Sequence, residues 1–379
     1  MKRYLILMTA AALVAACSND ADEAENGYVP SDNAIAFDAS ADDGQTRAPG
    51  QINSDANLRG TSFGVFGSYT GALKYENTTV SPDFMYNEKV TYDNGSGKWS
   101  YRPVKYWPND SREYVSFFAY APYEATPKDD GRCIIDMSKL SDLGDPWINY
   151  RMAADPWSTS NPQVDLLYGV NATNNYSSWL DQQKPSDPVN DKVLFTFHHA
   201  LSCIGEKITI KCSQALVDLI DGYVTSIKIT NVTINYKNLT TKARLVLRCE
   251  GSANWKEIIS GELTTTRTYT KDLTASPIEF ASSNFTTEQT ISEGDGLFYI
   301  PLRIAGTDAA QAEVTITYTV TNNANQAYSG TASTSFELDM NMEGQKQGIA
   351  LQLTKNLDLQ HLVYTIGTGA TGPSYSRKR

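Results

Sequence analysis

Apolar and polar residues alternate with a period of two over much of this chain. Val314, Ile316, Tyr318 and Val320 fall on one face of a segment whose other face carries Thr315, Thr317 and Thr319. That is the pattern of a half-buried antiparallel strand. The same alternation runs through Ile208–Cys212, Ile227–Thr230 and Tyr114–Tyr120, and Val193–Phe197 is a strongly apolar strand. Val90–Tyr92 and Lys98–Tyr101 flank Asp93-Asn94-Gly95-Ser96-Gly97, a hairpin loop whose Asn and Gly residues tolerate positive φ. Helical periodicity is confined to Ser213–Ile220. The fold class expected is all-β.

Residues 140 to 190 break the pattern with Asp145-Pro146-Trp147, Asp155-Pro156-Trp157 and Asn161-Pro162. Proline removes a ladder donor, so this region reads as irregular loop with one strand at Asp165–Val170. Near the end Ile349, Leu351 and Leu353 alternate with polar residues, Thr354-Lys355-Asn356 interrupts, and the pattern resumes from Leu357 to Ile366. Residues 367–379 lack the apolar content to fold and read as a mobile tail. A chain of 379 residues exceeds what one core usually organises. Two domains are therefore expected, 48–190 and 191–353, followed by a C-terminal strand segment and tail at 354–379.

The N-terminus adds a targeting signal. Lys2 and Arg3 precede an apolar run, and Leu13-Val14-Ala15-Ala16-Cys17 completes a lipoprotein signal peptide over residues 1–16. Small residues at 15 and 16 admit a peptidase, and the Cys17 thiol takes the lipid; an ordinary secretory signal with a chance cysteine is the alternative. Asp20, Asp22, Glu23 and Glu25 behind Cys17 form a solvated acidic tether. Formal charge is −11 for the whole chain and −13 without Lys2 and Arg3, which argues against nucleic acid as a partner. Residues 17–47 hold eight acidic residues against Arg47 alone. A cut between Arg47 and Ala48, in a polar segment open to an arginine-specific protease, would discard about half of the mature negative charge.

Candidate chemistry is sparse. Cys133, Cys203, Cys212 and Cys249 form no Cys-x-x-Cys pair and read as small buried apolar residues, with a Cys203–Cys212 bridge as the alternative. His198 and His199 directly follow an apolar strand, where packing and hydrogen bonding account for them better than metal binding does. Asp38–Gly44 has acidic spacing that departs from a calcium loop, because its Gly comes late and no Glu closes it; it reads as solvated linker. No Ser, His and Asp set suggests a triad, so neither an enzyme nor a cofactor is expected. Trp147 and Trp157, together with Trp179, could stack on sugar rings, or could anchor long loops to the core.

An ordered set of short motifs then narrows the class. After the lipobox at Cys17 come Ile35-Ala36-Phe37 with Thr46-Arg47-Ala48, Phe63-Gly64-Val65-Phe66, Lys105-Tyr106-Trp107-Pro108, Val115–Tyr120, Asp165–Gly169 and Phe195–Leu201. This set resembles the fimbrillin family, the type V pilins and pilus-associated lipoproteins of Bacteroidales. The resemblance covers residues 1 to about 205, and beyond that only the strand pattern agrees. It implies two transthyretin-like antiparallel β-sandwich domains in tandem and a subunit of a cell-surface pilus at the outer membrane. It also implies cleavage after Arg47, loss of a first strand carrying Ile35 and Phe37 (Ala34 to Asp38), and filling of the gap by another subunit. Ile349, Leu351, Leu353, Leu357 and Leu359 are the candidate donor residues; the alternative is that they form the last strands of their own domain. Implied partners are other pilin subunits, outer-membrane lipid through Cys17 and an arginine-specific protease. Two other classes stay open, a permanently lipid-anchored β-sandwich protein that binds carbohydrate and a hydrolase on a sandwich scaffold with a converging carboxylate pair.

Overall fold

The computed structural model describes residues 33–41, 52, 54–160, 162–173, 179–188, 190–220, 222–249, 252–281, 283–340, 344–365 and 374–376. Its first strands are β1 (Phe37–Ala41), β2 (Phe63–Gly71), β3 (Met85–Asp93), β4 (Lys98–Ser100) and β5 (Tyr114–Ala121). Next come β6 (Ile134–Met137), β7 (Trp147–Arg151), β8 (Leu167–Asn171), β9 (Trp179–Gln182) and β10 (Val193–His199). They are followed by β11 (Ser202–Cys212), β12 (Val224–Thr240), β13 (Lys242–Val246), β14 (Asn254–Glu257), β15 (Thr264–Asp272) and β16 (Ile278–Ala281). The chain ends with β17 (Gln289–Glu293), β18 (Leu297–Tyr299), β19 (Gln311–Asn322), β20 (Ala327–Glu337), β21 (Lys346–Leu353), β22 (Leu359–Thr365) and β23 (Ser374–Ser376). Short helices α1 (Asp55–Arg59) and α2 (Gln214–Ile220) interrupt them.

The described strands form four sheets. An eight-stranded sheet runs β1-β10-β8-β5-β2-β3-β4, with β9 added to β5. A six-stranded sheet runs β17-β11-β21-β22-β23, with β18 on β11, and a five-stranded sheet runs β15-β12-β19-β20, with β16 on β12. In the fourth, β14-β13-β7-β6, β7 pairs with β13 through Lys242↔Arg151 to Val246↔Trp147. Strands from before and after residue 190 thus share two sheets, this one and the eight-stranded sheet, where β10 pairs with β8 and β1. One apolar cluster gathers Ile35, Phe37, Phe63, Phe117, Phe195 and Phe197; a larger one runs from Phe66 to Leu359.

Local chemistry accounts for the elements read from the alternation. In β19 the residues Ala312, Val314, Ile316 and Tyr318 are buried, and the threonines between them are not. The β3–β4 hairpin closes because the Asp93 carboxylate accepts from the Gly95 N–H at 2.9 Å and the Ser96 hydroxyl at 2.6 Å, while Gly97 takes φ +67. Cys133, Cys203, Cys212 and Cys249 are free and buried, so the Cys203–Cys212 bridge is not formed.

Three expectations are corrected. The segment 140–190 carries β7 and β9 besides β8, because their ladders are completed by strands distant in sequence, β13 and β5. Five residues in β7 and four in β9 leave too short a pattern to read. The linker at Asp38–Gly44 begins as strand, since Asp38 to Ala41 continue β1. The tail contributes β23, whose backbone pairs with β22 and needs no apolar side chain to do so.

A buried charge marks the start of β21. Lys346 is 8% exposed, and its Nζ has no hydrogen-bond partner among the described residues. Burial pulls its pKa down to about 8, against the upward pull of Cys203, Glu206 and Asp165. The folded chain therefore binds fewer protons than the unfolded chain between pH 8 and the ordinary lysine value, and stability should rise with pH across that window. The expected cost at neutral pH is on the order of 3 kcal/mol. Urea unfolding at several pH values should show this rise in the wild type and its loss in Lys346→Met.

Candidate functional site

The first strand lies in a slot with two sides. Along one side β1 pairs parallel with β10, in register from Phe37↔Val193 to Ala41↔Phe197. Along the other, Ala34 forms an antiparallel bridge to Tyr106, the Ile35 N–H donates to the Lys105 carbonyl at 2.9 Å, and the Trp107 N–H donates to the Asn33 carbonyl at 3.0 Å. The sequence-level strand Ala34–Asp38 is thus displaced, because the ladder to β10 starts only at Phe37. Ile35, Phe37, Ala39 and Ala41 share the buried face. The Phe37 ring meets Tyr101 at 5.3 Å, Phe117 at 5.6 Å and Phe195 at 6.2 Å between centroids. The Tyr101 hydroxyl donates to the Ile35 carbonyl at 2.9 Å, and Lys192 Nζ reaches Asp38 Oδ2 at 3.1 Å.

Beyond β1 the chain is pinned twice. The Ala41 N–H donates to the Asp55 carboxylate at 2.8 Å. The Ile52 N–H donates to Asp165 Oδ2 at 3.1 Å, and Asp165 Oδ1 meets His199 Nδ1 at 3.0 Å. Asp165 is 1% exposed, so this pair fixes the re-entry of the chain into the core. Arg47 and Ala48 lie between the two pinned points, outside the described residues, as does Cys17. The sequence marks Asp165 only as the start of a strand and motif and does not mark Asp55, because an acidic residue that caps a distant backbone N–H has no local signature.

The candidate donor residues lie in their own chain. Ile349, Leu351 and Leu353 are buried in β21, which runs parallel to β11 through Ile208↔Ile349, Ile210↔Leu351 and Cys212↔Leu353. Leu357 is partly buried against the same cluster, and Leu359 is buried at the start of β22. Among the described strands, the two parallel pairings are those of β1 and β21. The candidate removable strand and the candidate donor strand thus each run parallel to one of two consecutive strands, β10 and β11, but β1 ends its sheet whereas β21 lies inside its own, between β11 and β22.

The tryptophans are held by their surroundings. Trp157 donates its indole N–H to the Asp295 carbonyl at 2.8 Å and packs against Tyr236 and Tyr269. Trp179 donates to the Leu194 carbonyl at 2.9 Å, and the Arg244 guanidinium sits 3.7 Å over the Trp147 ring.

The family model described as Fimbrillin-like matches residues 46–366 of this chain. The chain belongs to the fimbrillin-like family. The chain is 31% identical over 169 residues to the fimbrium subunit Fim1C of Phocaeicola vulgatus, a stretch covering 44% of this chain and 41% of that relative. A crystal structure of a fimbrial protein from Bacteroides vulgatus aligns with 87% of this chain and 98% of its own at a TM-score of 0.63 and 20% identity. That likeness establishes the all-β sandwich fold of this fimbrillin-like chain.

Proposed function

We propose that this fimbrillin-like chain is a structural or adhesive subunit of a cell-surface fimbrium, exported to the outer membrane as a lipoprotein anchored through Cys17. It is matured by an arginine-specific cut after Arg47 and joined to other subunits by strand donation. On this reading residues 48–190 and 191–353 supply two transthyretin-like sandwiches that trade strands across residue 190, β10 pairing with β8 and β7 with β13, and no catalytic step is involved. The observation that carries it is the slot of β1, which holds Ile35 and Phe37 in the core while the chain on its C-terminal side leads directly to Arg47.

Removing β1 would strip Phe37 from Tyr101, Phe117 and Phe195 and open one edge of β10, whose other edge stays paired with β8, together with the backbone of residues 105–107. An open ladder beside an uncovered aromatic stripe binds an extended segment of another chain. Burying about five donor side chains at roughly 1.5–3 kcal/mol each gives a gross gain on the order of 10 kcal/mol before association costs. The family supports a fimbrial role, and the parallel seat of β21 supplies a segment of matching kind.

Arg47→Ala is the direct test. N-terminal sequencing of surface-recovered protein should read from Ala48 in the wild type, whereas the variant should stay blocked at Cys17 and be missing from fibres. Polymerisation at the wild-type level by the variant rejects the proposal.

A further inference from the structure

The strand β20 ends the five-stranded sheet and is paired on one side, to β19. Its 11 residues pair without a bulge, and none before Glu337 is charged or a proline. Long edges are normally shortened, charged or interrupted, because an open ladder accepts another strand. The other described strands that end a sheet follow that rule. β1, β4, β6, β14, β17 and β23 have 5 residues or fewer, and β15, with 9, carries Arg267, Lys271 and Asp272. Among them β20 is the long uncharged edge.

The ladder to β19 fixes which backbone groups face outward. At one end the Asn322 N–H donates to the Gln326 carbonyl at 3.0 Å, and at the other the Leu338 N–H donates to the Ala310 carbonyl at 2.8 Å. Hydrogen-bonded pairs alternate along an antiparallel ladder, so the even-numbered residues of β20 bond to β19. The N–H and C=O groups of Ala327, Ser329, Thr331, Ser333 and Ser335 therefore point to the open edge, and no backbone group among the described residues pairs with them. At the C-terminal end Phe336 stacks on His361 of β22 at 3.6 Å between centroids, so the open length is Ala327 to Ser335.

That length is complementary to itself. Its middle residue is Thr331, and antiparallel pairing of two copies about a two-fold axis there sets one row of outward N–H and C=O groups against the other. Ser329 then meets Ser333 of the second copy. Such hydroxyl pairs already form within the sheet, where Thr319 Oγ1 lies 2.9 Å from Ser329 Oγ and Thr315 Oγ1 lies 2.8 Å from Ser333 Oγ. On the other face Tyr328, 59% exposed in the single chain, comes to lie beside Ala332 and Thr334 of the second copy, and its ring leaves water. Glu337 falls outside the paired stretch, so no like charges meet across the axis. A charged segment of another protein would find no counter-charge on this edge. We propose that β20 joins this chain to a second copy of itself by antiparallel edge pairing centred on Thr331, so that two five-stranded sheets continue as one.

Sedimentation velocity of the uncut full chain, in which β1 fills its slot, separates this contact from strand donation. A reversible monomer–dimer equilibrium is expected at concentrations up to about 200 μM, as for a small interface. Thr331→Pro removes an edge N–H and spares the ladder to β19, and Thr331→Lys sets two cations face to face at the axis. Each should weaken dimerisation by at least about tenfold with the circular dichroism spectrum unchanged, and the lysine variant decides should the proline variant misfold. On mild oxidation Thr331→Cys should give disulfide-linked dimers above the wild-type level, and Thr266→Cys, on the edge strand β15, should not. The proposal is overturned by a chain that stays monomeric, by dimers that survive either substitution in a folded chain, or by Thr331→Cys dimers no more abundant than those of Thr266→Cys.

Discussion

Phe37→Ala is expected to destabilise the unprocessed chain by about 3–5 kcal/mol, the usual cost of truncating a fully buried aromatic residue. Phe37 is 2% exposed and touches three aromatic rings contributed by β5, β10 and the segment after β4, so none of them can fill the space without disturbing its own packing. The lost contacts lie on the strand proposed to be shed. A chain that starts at Ala48 no longer contains the substitution and should unfold and polymerise like processed wild type. Urea unfolding of the two forms, prepared side by side, checks both statements. Equal stability of unprocessed wild type and Phe37→Ala would mean that β1 contributes nothing to the core, and the slot would lose its role.

Leu353→Cys should abolish entry into fibres under oxidising conditions and restore it on reduction. Leu353 is the register partner of the native Cys212, and the Ser213 N–H donates to the Leu353 carbonyl at 2.9 Å. Neighbouring strands place paired Cα atoms about 5 Å apart, within reach of a disulfide. The bond would tie β21 to β11 and hold the candidate donor strand in its own domain. Loss of polymerisation should be nearly complete, because strand donation requires the whole of β21 to leave. Fibres that form equally well from the oxidised variant would show that β21 stays in its own chain and would shift the donor role to β22. Sedimentation of oxidised and reduced samples reads the outcome.

The alternation of Val314, Ile316 and Tyr318 with threonine identified the strand β19 without help from any other part of the chain, and the Asp93–Gly97 turn identified its hairpin. The pair Ile35 and Phe37 was legible as one apolar face for the same reason. β7 was not legible, because Ile148, Asn149 and Tyr150 are all buried and show no alternation, and their partners in β13 lie nearly a hundred residues away. The candidate site was readable in part. Its apolar residues follow a period, but Asp55 and Asp165, which pin the chain on either side of Arg47, act on backbone groups far from them in sequence.

What the sequence determined by itself is the set of faces: which side chains of each strand avoid water, where the tight turns fall, and that an arginine follows the pair Ile35 and Phe37. These depend on neighbours within a few residues, and a linear pattern records such neighbours. The tertiary structure alone decided that β1 and β21 run parallel beside β10 and β11, that residues 105–107 close the slot from its second side, and that β20 ends its sheet. Strand order and direction are set by contacts between residues up to about 150 positions apart, such as Phe37 and Val193, and no local period carries that information.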